Sequence, residues 1–62
     1  MTDKTLLILD DDAPLRTRLC RAMETRGFTV MDAGTVSDGI DLVRKAAPAY
    51  AILDMKLDDG TG

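Results

Sequence analysis

Two short apolar runs that each end on aspartate constrain this chain more than any other feature: "TLLILD" at residues 5 to 10 and "AYAILD" at residues 49 to 54. Continuous runs of this length suit strands buried on both faces, as in a parallel sheet. Between them the hydrophobic period changes. Leu15, Leu19, Ala22 and Met23 recur at helical spacing, while Arg16, Arg18, Arg21 and Glu24 fall elsewhere, which predicts an amphipathic helix from Ala13. Asp12 can cap its start, Pro14 is tolerated in its first turn, and Gly27 stops it. "FTVMDA", residues 28 to 33, is β-branched and aromatic enough for a further strand. Thr35 and Asp38 then resemble a capping box. Val36, Ile40, Val43 and Ala47 form the next apolar stripe, which Pro48 ends.

The order β-α-β-α-β predicts an α/β fold with a parallel sheet and right-handed crossovers. A sheet of order 2-1-3 places the two helices on opposite faces, as two doubly buried strands require. The order 1-2-3 would leave one face bare, against the apolar character of "LLIL" and "AYAIL". In order 2-1-3 the chain reverses direction between the first and third strands, and ligands of open α/β sheets bind outside the carboxyl ends of strands at such a point. Asp10 and Asp11 end the first strand and Asp54 ends the third, so distant positions converge on one crevice.

Composition narrows the function classes. The 62 residues are 45% hydrophobic and 31% charged, with net charge -3, which is ordinary for a globular domain and offers no electrostatic footprint for nucleic acid. Arg16, Arg18, Arg21 and Arg26 cluster, but on a helix whose other face is apolar, so they read as a solvated face. No apolar run approaches the roughly 20 residues that span a bilayer. "MTDKT" lacks a secretory pattern, and Cys20 is the only cysteine, so no membrane association and a reducing cytoplasm are expected. Cys20 itself reads as a small buried apolar group. A chain of about 60 residues buries only about 60% of its unfolded surface, which is marginal for independent stability.

Bringing two carboxylates to about 5 Å costs roughly 3 kcal/mol at an effective dielectric near 20. Protonation, solvation or a bound cation would relieve this. A hard divalent ion suits oxygen ligands, and Mg²⁺ often takes only a few carboxylates while keeping its waters. Next to such an ion a carboxylate can attack phosphorus, because the metal neutralises the phosphoryl oxygens. The bland reading is that acidic residues after a strand only cap the following helix; Asp54 at the matching strand end weighs against it. A flavodoxin-like cofactor binder needs neutral donors after the first strand, where this chain has three anions. A dinucleotide fold needs glycines there, and none precedes Gly27. A calcium loop starting at Asp54 fails at Lys56 and Asp59. Haloacid dehalogenase-like phosphatases use an aspartate pair spaced by one residue directly after a strand, unlike the adjacent aspartates of "LDDGTG".

"LLILDDDAPLR", "GFTV" and "AILDMKLDDGTG" together resemble the receiver domain of bacterial two-component response regulators. The resemblance covers the whole chain, residues 1 to 62, as the first half of a flavodoxin-like, doubly wound receiver with strands 1 to 3 and helices 1 and 2. It implies that Asp54 is the phosphoacceptor, taking a phosphoryl group from a sensor histidine kinase. It also implies that Asp11 binds Mg²⁺ directly, that Asp10 acts mostly through water, and that Asp54 and the backbone carbonyl of Lys56 complete the protein ligands. Asp12 is better placed to cap a helix. Asp58 stands where many receivers have proline, and the acidic "LDDGTG" looks more like a subfamily of redox-responsive global regulators. Their helix-turn-helix output is not contained in these residues, so DNA would be reached only through a separate segment. The Ser or Thr after a fourth strand and the Lys after a fifth, which the family uses to contact the phosphoryl group, also lie outside this sequence.

The leading expectation is therefore a phosphoacceptor signalling module, more signalling protein than enzyme. The alternative is a truncated half-domain that only self-associates or binds a partner, without phosphoryl chemistry. An aspartyl-nucleophile phosphatase is a distant third. The apolar third strand would be an edge in this order, so self-association through it, or exchange of elements between copies, is expected.

Overall fold

The computed structural model describes residues 3–54. The elements are β1 (Thr5–Asp10), α1 (Ala13–Thr25), β2 (Thr29–Ala33), α2 (Val36–Lys45) and β3 (Tyr50–Asp54). They form one three-stranded sheet of order β2-β1-β3, with both pairings parallel. The fold expected from the sequence is the fold observed. Register runs from Thr5 opposite Thr29 to Leu9 opposite Ala33 on one side, and from Leu6 opposite Tyr50 to Asp10 opposite Asp54 on the other.

The helix ends follow from local chemistry. Asp12 is the N-cap of α1, its Oδ1 accepting from the Leu15 N–H at 3.1 Å. At the far end the Phe28 N–H donates to Met23 O at 3.1 Å and the Gly27 N–H to Glu24 O at 3.0 Å, with Gly27 at φ 95°. This is a Schellman termination, and it needs a residue that tolerates positive φ. Thr35 caps α2 by accepting from the Asp38 N–H at 3.1 Å. Ala47, placed on the apolar stripe of this helix by its spacing, instead lies beyond its end: Lys45 is the last helical residue and Ala46 closes the final turn onto Leu42 O at 2.9 Å. Helical periodicity outlasts the helix because Pro48 already biases the preceding backbone toward extended conformations.

The core is one strand deep. Leu6, Leu7, Ile8 and Leu9 of β1 are buried, joined by Ala33 of β2. Side chains alternate across the sheet, so Leu7 and Leu9 share a face with Leu53, while Ile8 and Asp10 share the opposite face with Asp32 and Asp54. No residue of α1 is fully buried, and Ala22, read as part of its apolar stripe, is exposed. In α2 only Gly39 is buried, where a Cβ would come within 3.3 Å of Leu9 Cδ1. The glycine lets the helix sit close on β1, and Val36, Ile40 and Val43 flank an open groove of about 350 Å³ that reaches Leu53. At the opposite end of the strands Phe28 and Tyr50 meet edge to face at 5.6 Å, with the Lys4 ammonium 5.4 Å from the Phe28 ring centre. Among the described residues no helix is long and apolar enough to cross a membrane.

Candidate functional site

β1 delivers Asp10 to the carboxyl end of the sheet, and parallel pairing puts Asp54 of β3 directly beside it in register. Asp10 is 1% exposed. Its Oδ1 accepts from the Asp12 N–H at 2.9 Å, while the buried Oδ2 has no hydrogen-bond partner. An unsatisfied buried carboxylate oxygen is costly and rare, and it calls for an explanation. Asp11 and Asp54 are exposed. Asp12 is occupied in capping α1, as the sequence predicts.

Among the described residues no three carboxylate, histidine or cysteine side chains gather closely enough to form a metal cluster. What the site presents is the Asp10–Asp11 pair with Asp54 on the adjoining strand. The orphaned Oδ2 of Asp10 and the all-oxygen donor set fit a hard divalent cation. The carbonyl of Lys56, implied as a further ligand, lies outside the described residues.

Arg16 departs from the sequence reading. It does not belong to a solvated helix face: its Nε donates to Asp32 Oδ2 at 2.8 Å and its Nη1 to the Asp10 carbonyl at 2.7 Å. Periodicity places it outside the apolar stripe and cannot register that its guanidinium reaches back over two strand ends. The sequence holds one signal of this: a cation early in a helix opposes the macrodipole and needs another reason to be there. Arg18, Arg21 and Arg26 are exposed as expected. Cys20 is half-buried in α1. Burial pushes its thiol pKa up, with the Asp32 and Glu24 charges adding to the effect and Arg16 opposing it.

The chain is 52% identical over 61 residues to photosynthetic apparatus regulatory protein RegA of Rhodobacter capsulatus, covering 98% of this chain and 33% of that protein. It is 48% identical over 60 residues to acid tolerance regulatory protein ActR of Rhizobium meliloti, covering 97% of this chain and 31% of the relative. Identity to phosphate regulon transcriptional regulatory protein PhoB of Escherichia coli is 27% over 59 residues, covering 95% of this chain and 26% of the relative. The chain thus spans about a third or less of the length of these curated relatives. No family model and no solved structure matches it. In its sequence and in its β2-β1-β3 topology, the chain resembles the N-terminal half of a bacterial response-regulator receiver domain, nearer in identity to RegA and ActR than to PhoB.

Proposed function

We propose that this chain carries the phosphoacceptor site of a two-component receiver, with Asp54 accepting a phosphoryl group from a sensor histidine kinase and Asp10 and Asp11 holding Mg²⁺. The observation that supports this most is the pairing of an exposed Asp54 with a buried Asp10 whose Oδ2 has no partner. In the transfer, a carboxylate oxygen of Asp54 forms a bond to phosphorus as the phosphorus–nitrogen bond of a phosphohistidine breaks. The chain's own contribution is positional. β3 holds the nucleophile at a reachable strand end, and β1 holds the acidic pair one strand away. When bound, the metal supplies charge neutralisation at the phosphoryl oxygens, which is the dominant need in such transfers. On this reading the chain is a signalling module in the cytoplasm and not an enzyme with turnover on a separate substrate, and any contact with DNA belongs to a separate output segment.

The test is incubation with a small phosphodonor and Mg²⁺, followed by intact-mass measurement. Labelling that requires Mg²⁺ and disappears in Asp54→Asn supports the proposal; labelling that survives Asp54→Asn overturns the assignment of the acceptor. Yield from the 62-residue chain should be poor, because the lysine the family places after a fifth strand is not in this sequence. A second reading, association between copies without phosphoryl chemistry, is favoured by the exposed apolar β3, where Tyr50 and Leu53 are open to solvent.

A further inference from the structure

Arg16 touches both ends of the acidic turn. Its backbone N–H donates to the Asp12 carbonyl at 2.8 Å, and its Nη1 donates to the Asp10 carbonyl at 2.7 Å. Nε is committed to Asp32 on β2 at 2.8 Å, so one side chain joins the carboxyl ends of β1 and β2. Gly34, just past β2, leaves room for it: a Cβ there would lie 2.7 Å from Nη1. A guanidinium this near three adjacent aspartates would ordinarily be drawn onto one of their carboxylates, forming the bidentate pair that arginine favours. Here its donors go to a carbonyl and to Asp32, and Oδ2 of Asp10 is left without a partner.

We infer that Arg16, held by Asp32 and admitted by Gly34, is a positioning residue that fixes the Asp10–Asp12 turn with the buried Oδ2 of Asp10 unpaired by any protein donor and so left to a divalent cation or its water. The inference rests on the Mg²⁺ reading of Asp10 and Asp11. It has a sign that bulk electrostatics does not share. Arg16→Gln removes a cation next to the site, which by charge alone raises affinity for Mg²⁺. Loss of a positioning contact lowers it, by about tenfold where outer contacts to a metal site are concerned. Arg16→Lys keeps the charge but, as a point donor, cannot hold the carbonyl and Asp32 in the same geometry.

The experiment is a Mg²⁺ titration of the full 62-residue chain, followed through the backbone amide resonances of Asp11 and Asp12, with Asp11→Asn as the site control. Arg16→Gln and Arg16→Lys are titrated alongside, each verified as folded by circular dichroism; if the glutamine variant does not fold, the lysine variant decides. Binding that depends on Asp11 and weakens about tenfold in the Arg16 variants supports the inference. Asp11-dependent binding that is unchanged or tighter in those variants overturns this inference and leaves the Mg²⁺ reading standing. Absence of Asp11-dependent binding in the parent overturns both.

Discussion

Asp10 and Asp54 stand side by side on neighbouring parallel strands, yet Asp10 is 1% exposed and Asp54 is open to solvent. The difference comes from strand order. β1 is central, paired on both sides, while β3 is paired only with β1 among the described residues. One carboxylate is therefore desolvated and fixed, and its neighbour is reachable. A buried, fixed anion suits holding a cation; a reachable one suits attack on an incoming phosphoryl group. The proposed division of roles follows from this asymmetry.

Asp10→Asn should raise stability while weakening Mg²⁺ binding. The substitution replaces a buried charge with a neutral amide of the same shape and keeps an oxygen to accept from the Asp12 N–H. The amide nitrogen takes the unpartnered position of Oδ2, so what is relieved is the excess cost of burying a charge over a neutral polar group, about 1 kcal/mol. In a domain of this size each kcal/mol moves Tm by about 4–8 °C. Thermal melts without divalent metal should show the rise, and an unchanged or lowered Tm would mean that the Asp10 carboxylate is better accommodated than its orphaned oxygen indicates.

Asp11→Asn and Asp12→Ala should separate binding from stability. Asp11 is exposed and has no capping duty, so its neutralisation should weaken Mg²⁺ binding and leave the melt nearly unchanged. Asp12 caps α1 through its bond to the Leu15 N–H, so its removal should cost about 1 kcal/mol and alter Mg²⁺ affinity less. Equal effects of the two substitutions in a Mg²⁺ titration would contradict the assignment.

Much of this is legible in the sequence because the strands and helices here obey simple periods. "LLIL" marks the central strand, Asp12 and Gly27 mark the ends of the first helix, and the acidic strand ends point to the switch point. What escapes depends on reach and depth. Arg16 acts through the far end of a long side chain, on groups six and sixteen positions away, which spacing along one helix does not report. The stripe of α2 is plainly apolar in the sequence, but periodicity cannot say whether a partner covers it. Val36, Ile40 and Val43 remain substantially exposed because only Gly39 comes down onto β1.

Gly27→Ala should destabilise the fold by about 1–2 kcal/mol. Gly27 closes α1 at φ 95°, where a Cβ crowds the following carbonyl. The space around it is open, with only the Lys4 ammonium as near as 4.0 Å to the position a Cβ would take, so the penalty is backbone strain and not a clash. A denaturant titration with an unchanged slope and a lowered midpoint is the expected result.

Alkylation of Cys20 should lag behind that of an exposed thiol as pH is raised, because burial and the Asp32 and Glu24 charges push its pKa up. The sign for stability follows. Above the ordinary thiol range the unfolded chain loses this proton before the folded chain does, so stability falls with rising pH in that window. A Cys20→Ser variant should lose that alkaline slope. If the slope is the same in both proteins, Cys20 is not its source.

The chain should associate with itself. β3 presents Leu53 at 68% exposure and Tyr50 at 50%, and the outer backbone groups of this strand have no partner strand among the described residues. Strand edges in stable monomers usually carry charge or are covered, and "YAIL" is neither charged nor interrupted by proline. The groove between α2 and Leu53 adds apolar surface on the same side. Pairing β3 with its own copy around a two-fold axis would satisfy the free edge, forming an antiparallel junction between two parallel sheets, and a two-fold dimer is the simplest closed arrangement. Exchange of elements between copies is the competing geometry. Sedimentation at micromolar concentration should give a folded species heavier than the 6.7 kDa chain. Leu53→Lys places a charge on an exposed large apolar residue of the edge and should return the protein to a monomer with its circular dichroism unchanged. A folded parent sedimenting at 6.7 kDa would overturn the prediction, since the apolar edge would then be tolerated without a partner.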